Sequence, residues 1–227
     1  GGRTVFKSWR ARARKPGAND ITKEAVVPTI MSPSSTDDAI DPEEMSALDE
    51  NCDYFGLKRS ILMENAGSAI IGALRGKLGS LATKKVVIIA GNGNNGGDGF
   101  VAARHAAAEA AEVTVRLIGG PHAIRTGESR ANWEILERMP FKVRLYSLAD
   151  SSDIDGLRDR IINADIVLDA IFGTGIRGRI REPHSTAIDA INSSKGLKVA
   201  VDIPSGLDPS TGEIHDKAVK ADMTVTF

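Results

Sequence analysis

Five glycines fall within nine residues, Gly91-Asn92-Gly93-Asn94-Asn95-Gly96-Gly97-Asp98-Gly99, between a short β-branched run and an alanine-rich stretch. Gly91, Gly93 and Gly96 satisfy Gly-x-Gly-x-x-Gly. The run before them, Lys85–Ala90, predicts a buried strand, and Asp98–Ala111 predicts a helix. So many glycines cost more conformational entropy than a plain turn requires. They offer backbone approach in return: amide N–H groups and a helix N-terminus can face a pyrophosphate with no Cβ in the way. Asn94 and Asn95 add amide donors and carbonyl acceptors. Asp98 puts a carboxylate where a purely phosphate-cradling loop has no use for one. A ribose hydroxyl, an ammonium or a metal partner explains it, and so does a helix cap.

The rest of the chain sets this turn in a repeating pattern. Strands are expected at Val113–Ile118, Lys142–Leu145, Ile166–Asp169, Lys198–Ile203 and Met223–Phe227. Helices are expected over Gly127–Met139, Asp153–Asn163 and Pro183–Ser193. Buried β-branched strands separated by helices point to βαβ units, hence to a Rossmann-like three-layer α/β/α fold with a mostly parallel, doubly wound sheet. Two helices precede it. Asp41-Pro42-Glu43-Glu44 reads as a helix start, with Met45, Leu48, Cys52 and Phe55 at helical spacing and Gly56 as the stop. Ser60 is placed to cap a helix carrying Leu62, Met63, Ala66, Ile70 and Leu74. Cys52 lies on the apolar stripe and reads as core.

Charge separates a leader from the domain. Residues 1–40 hold seven Lys/Arg against four Asp/Glu, and residues 41–227 hold 22 against 26, within a net charge of −1. The leader is basic and then rich in Pro, Ser and Thr, without periodicity, so 1–40 reads as a flexible or peripheral extension and 41–227 as the domain. Its functional readings are a presequence, a tether to an acidic partner or an arm on nucleic acid. No apolar run is long enough for a secretory signal or a membrane span. The lone cysteine supports neither an internal disulfide nor a thiolate zinc site. Ten aromatics in 227 residues are a thin supply for stacking single-stranded nucleic acid.

The second half of a dinucleotide fingerprint is an acid at the end of the next strand, gripping the adenosine ribose. Here that strand runs into Gly119-Gly120-Pro121, which disfavours a standard NAD dehydrogenase while leaving a nucleotide favoured. Two later strands do end in acids, Asp169 and Asp202, each followed by a glycine-containing loop. Successive parallel strands bring such residues to one edge of the sheet. Asp169 and Asp202 are therefore candidates for acid/base work or cation binding. Arg177, Arg179 and Arg181 are candidate phosphate contacts. His105, His122, His184 and His215 lack metal-ligand spacing and read as ordinary surface or helix residues. Serine-hydrolase elbows and P-loops are missing from the sequence.

Several motifs together, Leu62-Met63-Glu64-Asn65-Ala66-Gly67, Gly91–Gly99 with Phe100-Val101-Ala102-Ala103-Arg104-His105, Asp169–Gly178, Asp202–Asp208 and Ala221–Phe227, resemble the YjeF N-terminal domain family. The resemblance covers about 41–227. It implies a Rossmann-like fold and, in the enzymes of the family, NAD(P)H-hydrate epimerisation: interconversion of the R and S forms of NADHX and NADPHX, as substrate rather than cofactor. It implies substrate contacts at Asn94, Asn95, Gly96, Gly97 and Asp98, then at Gly173, Thr174, Gly175, Ile176, Arg177, Gly178 and Arg179, and at Asp202. It also implies a potassium ion on Asn95, Asp169 and Ser205. Oxygen donors of this kind suit a hard cation.

The same resemblance implies a homodimer and a functional partner, an NAD(P)HX dehydratase acting on the S form. The family pattern continues beyond Phe227, so the expectation is a domain without its C-terminal end, a fragment or the first half of a bifunctional chain. A cytoplasmic location is expected, or a mitochondrial one if residues 1–20 act as a presequence. Nucleic acid is expected only through the leader. Asp169 is the candidate acid/base. The other class consistent with the resemblance is a non-catalytic scaffold that dimerises and binds protein or RNA partners, whose members look eroded where this chain keeps Asn94-Asn95-Gly96-Gly97-Asp98.

Overall fold

Lys85–Ala90, the first strand (β1), alternates between two cores. Val86, Ile88 and Ala90 enter one, and Val87 and Ile89 enter the other. That is why its sequence is continuously apolar. In the computed structural model, which describes residues 48, 51–52, 54–155, 161–174, 179–214 and 216–227, five more strands join it. They are β2 (Glu112–Ile118), β3 (Val143–Leu148), β4 (Ile166–Ala170), β5 (Leu197–Val201) and β6 (Met223–Val225). The order is β3-β2-β1-β4-β5-β6 and every pairing is parallel.

Helices cover both faces. On one side lie α1 (Arg59–Leu78), α2 (Asn94–Ala106) and α3 (Gly127–Glu137), whose Ile70, Ile71, Leu74, Phe100, Trp133 and Leu136 share a core with β1 and β2. On the other lie α4 (Ser151–Asp155) and α5 (His184–Ser193), with Ile154, Ile188 and Ile191 beneath them. This is the three-layer, doubly wound arrangement expected, and the sheet is wholly parallel among the described residues.

Several boundaries differ from expectation for identifiable reasons. Helix α2 begins at Asn94, not Asp98, because the glycine-rich segment is itself the first helical turn, with extended Gly93 as its cap. Asp98 therefore lies inside the helix, not at its cap position. Helix α1 begins at Arg59 after extended Lys58, so Ser60 falls within the first turn and is no cap. Strand β3 runs three residues further than expected, to Leu148, because it pairs with β2 along its whole length. Strand β5 stops at Val201, since Asp202 turns away with φ +67°. Cys52 is half-buried and Phe55 is 66% exposed, so neither belongs to the core. The leader 1–40, the start at Asp41 to Met45, the middle of the helix expected over Asp153–Asn163, Gly175, Ile176, Arg177, Gly178 and His215 lie outside the described residues.

Sequence order reverses between β1 and β4, which are neighbours in the sheet with Val86 beside Ile166. The loops leaving these two strands diverge there, and such a switch point opens a crevice at the carboxyl edge.

Candidate active site

The loop after β1 is fitted to the loop after β4 backbone against backbone. The Gly91 N–H donates to Ala170 O at 2.9 Å, carrying the ladder past the strand. A Cβ on Gly91 would collide with the Ile171 carbonyl, and one on Gly96 with the Gly91 carbonyl. The first turn of α2 is pressed from behind as well. Gly97 faces Met63 of α1 and Ser129 of α3. Ser129 is fully buried; its hydroxyl donates to Gly93 O at 3.1 Å and accepts from Thr126 Oγ1 at 2.8 Å. The free amides of the first turn of α2 thus face the crevice from a fixed position.

Across the crevice, Phe172 O accepts from Asn95 Nδ2 at 2.7 Å, and Phe172 N–H donates to Ser205 Oγ at 3.0 Å. Ser205 donates its hydroxyl to Asp169 Oδ1 at 2.6 Å and its backbone N–H to Oδ2 at 2.8 Å. Ile171 N–H adds a bond to Oδ1 at 3.3 Å. Asp169 is 0% exposed, and burial pushes its carboxyl up to about 6 despite these three donors. Asp202 is half-buried, and desolvation raises its carboxyl too. It accepts from Thr226 Oγ1 at 3.4 Å, and a Cβ on Gly173 would lie 3.2 Å from its Oδ2.

Asn95, Gly173, Asp169, Ser205 and Asp202 therefore meet in one place, as the strand-end argument required. Asn94 and Thr174 lie exposed at the rim, and Gly96, Gly97 and Asp98 follow inside α2. Arg179 stands apart: it is 89% exposed, with Nε 3.8 Å from Asp216 Oδ2. Arg181 is exposed too, and the two border a hollow of about 480 Å³ with Glu182 and Lys217. A larger hollow, about 600 Å³, lies against β3 and α3 and holds none of these residues.

The donor set fits a hard monovalent cation. Asn95 Oδ1 is buried without a hydrogen-bond partner among the described residues, and the Phe172 backbone joins the Asn95 amide to the Ser205 hydroxyl, which meets the Asp169 carboxylate. A cation there would satisfy the orphaned oxygen and favour ionised Asp169.

Sequence reasoning missed five residues with a part in this arrangement. Thr126 and Ser129 fall just before and just inside the helix expected over Gly127–Met139, yet their hydroxyls hold the glycine loop. His184 is not an ordinary surface residue: its ring stacks on Phe172 with centroids 4.9 Å apart and planes at 23°. Burial lowers its pKa, the positive charge of Arg125 adds to this, and Glu182 opposes it. Arg125 itself comes from the segment after β2, which the sequence marks by its two glycines and its lack of an acid. His105 is also more than surface decoration, since its ring nitrogen lies 2.7 Å from Glu64 Oε1, and Arg104 pairs with the same carboxylate. His122 is exposed, as expected.

Residues 59–227 match the family model described as YjeF-related protein N-terminus. The chain belongs to this family. Among its relatives, the NAD(P)H-hydrate epimerase of Nitrosopumilus maritimus is 45% identical over 185 residues, covering 82% of both chains. That of Cenarchaeum symbiosum is 46% identical and covers 83% of this chain and 84% of its own. The bifunctional NAD(P)H-hydrate repair enzyme Nnr of Methanothermobacter thermautotrophicus is 47% identical over 82% of this chain, which spans 35% of that relative. The crystal structure of yeast ynu0, YNL200c, superposes with a TM-score of 0.71 at 25% identity, over 83% of this chain and 79% of that one. The YjeF-related fold thus carries the crevice described above. Among the described residues no helix is long and apolar enough to cross a membrane.

Proposed function

We infer that this chain is an NAD(P)H-hydrate epimerase, interconverting the R and S forms of NADHX and NADPHX in the repair of nicotinamide nucleotides. The observation that carries the reading is the convergence of Asn95, Gly173, Asp169, Ser205 and Asp202 on one switch-point crevice, in a chain that covers most of two relatives bearing that name.

The substrate carries a hydroxyl on a carbon next to the ring nitrogen. Protonating that hydroxyl lets the nitrogen lone pair expel water and leaves an iminium. Water returning to the opposite face, with loss of one proton, inverts the centre. The chain must supply one group that gives and then takes a proton, and surroundings that tolerate a transient cation. Burial raises the Asp169 carboxyl to about 6, within range of both steps at neutral pH, while potassium on the same carboxylate would favour its ionised form and compete with that role. The complete burial of Asp169 favours a second assignment, Asp202, which is half-buried and borders Gly173. Asn95, Asp169 and Ser205 would hold potassium, which would supply a fixed positive charge beneath the loop after β4. Asn94 to Asp98 and Gly173 to Arg179 form the two substrate loops in this proposal.

Chromatography of NADHX epimers with and without the protein tests the reading. Re-equilibration from pure R form should be accelerated; none by a folded sample would overturn the epimerase in favour of a scaffold. Under saturating potassium, loss of the acid/base should slow turnover by about 10²–10⁴-fold. That loss in Asp169→Asn assigns the proton to Asp169, and in Asp202→Asn alone to Asp202.

A dehydratase acting on the S form completes the repair in this reading. We further propose a homodimer. Tyr54 and Phe55 support it, an edge-to-face aromatic pair 85% and 66% exposed, with Leu57 and Ile61 also open to solvent. A cytoplasmic location, or a mitochondrial one through residues 1–20, belongs to the same proposal, and any nucleic-acid contact is assigned to the leader 1–40.

A further inference from the structure

We propose that Arg125 receives a phosphate of the dinucleotide substrate, an inference that rests on the epimerase reading. Strand β2 ends at Ile118, and Gly119 and Gly120, at φ +95° and +123°, turn the chain over the carboxyl edge of the sheet. In doubly wound dinucleotide folds this segment passes the adenosine ribose. There an acid accepts the 2′-hydroxyl, or an arginine accommodates a 2′-phosphate. No acid lies between the end of β2 and Arg125, which is the first arginine or lysine after the strand.

The backbone at Arg125 is held from two sides. Its N–H donates to Asn92 O, in the loop after β1, at 2.9 Å. Arg130 grips the preceding residues, with Nη2 2.7 Å from Ile124 O and Nη1 3.3 Å from Pro121 O. The guanidinium is left over. Arg125 is exposed, and among the described residues no carboxylate pairs with it, whereas Arg179 has Asp216. Its charge reaches His184, which stacks on Phe172 of the other substrate loop. The guanidinium thus springs from backbone pinned to Asn92, two residues before the first turn of α2. A planar fork of donors without an anion, beside the N-terminus of α2, matches a phosphate oxygen pair. NADHX offers a pyrophosphate; NADPHX offers that and a 2′-phosphate.

The test compares wild type, Arg125→Ala, Arg125→Lys and, as a control for bulk charge, Arg138→Ala at the far end of α3, in steady-state epimerisation of both substrates. Arg125→Ala should raise KM about tenfold, the scale of a lost charge-assisted contact, with the loss in KM rather than kcat. Arg125→Lys should restore part of it, and Arg138→Ala should match wild type. A rise confined to NADPHX identifies the 2′-phosphate, and equal rises on both identify the pyrophosphate. KM unchanged on both substrates, or changed equally in Arg138→Ala, overturns the proposal. Calorimetric binding of NADPHX separates this from failure of the epimerase reading. If wild type is inactive but binds, weaker binding by Arg125→Ala sustains the role of Arg125. Equal affinities, or no binding by either protein, overturn it.

Discussion

Asp169 and Asp202 look alike in sequence, each an acid after a β-branched run, and the structure separates them. Asp169 stays within β4, in register with Ile89 of β1 and Ala200 of β5, and its carboxylate is sealed. Asp202 falls one residue beyond β5, where a positive φ tips it toward the crevice rim. A carboxyl raised from 3.8 to about 6 by burial binds a proton more tightly in the fold than in the unfolded chain. Stability from this group is therefore lost as pH rises through that window, by on the order of 3 kcal/mol once Asp169 is ionised. In potassium-free buffer, the Tm of Asp169→Asn should gain on wild type between pH 4 and 7, and KCl should close the gap by stabilising wild type alone. Parallel pH profiles for the two proteins would contradict this account. Both acids were legible because strand ends are. Ser129 and Arg125 were not, since their roles exist only once α3 and the loop after β2 are brought against a glycine turn distant in sequence.

At the scale of elements, α2 is the part whose placement matters most, because its first turn is one wall of the crevice. It is fixed to α1 by Glu64, which takes both Arg104 and His105. Burial alone would raise that carboxyl, and the hydrogen bonds and charges of these two partners turn the net shift downward. The helices also touch closely, since a Cβ on Gly67 would overlap the Val101 side chain. Two glycines of α1 should therefore respond oppositely. Gly67→Ala forces α1 and α2 apart and should cost about 1–3 kcal/mol, with a fall in epimerase activity. Gly72→Ala meets nothing within 4 Å and should gain about 0.5–1 kcal/mol. Urea unfolding of both variants checks the pair, and shifts of the same sign would refute it. Helical spacing predicted Met63, Ala66, Ile70 and Leu74 of the α1 core, whereas Leu62 is only half-buried and Ile71, fully buried, was not among the expected residues. The start of α2 was misplaced because glycines that weaken a helix in isolation are required here by the lack of room at Gly96 and Gly97.

For the molecule as a whole, alternating strands and helices sufficed to predict the layers and the parallel sheet, because both depend on periodicity alone. The strand order was not legible, since nothing in β1 or β4 marks them as neighbours. The proposed dimer belongs to this scale too. Sedimentation equilibrium should find two copies, and Phe55→Asp should yield monomers; a monomeric wild type would remove the proposal. Val86 lies beside Ile166 at the centre of the sheet, with β2 and β3 formed from the chain between them. Closing so long a segment makes for slow folding. During synthesis the amino-terminal strands can pair among themselves, yet the crevice has only one wall until Phe172 has left the ribosome. A nascent chain stalled before that point carries the full glycine turn and no place for a nucleotide to sit.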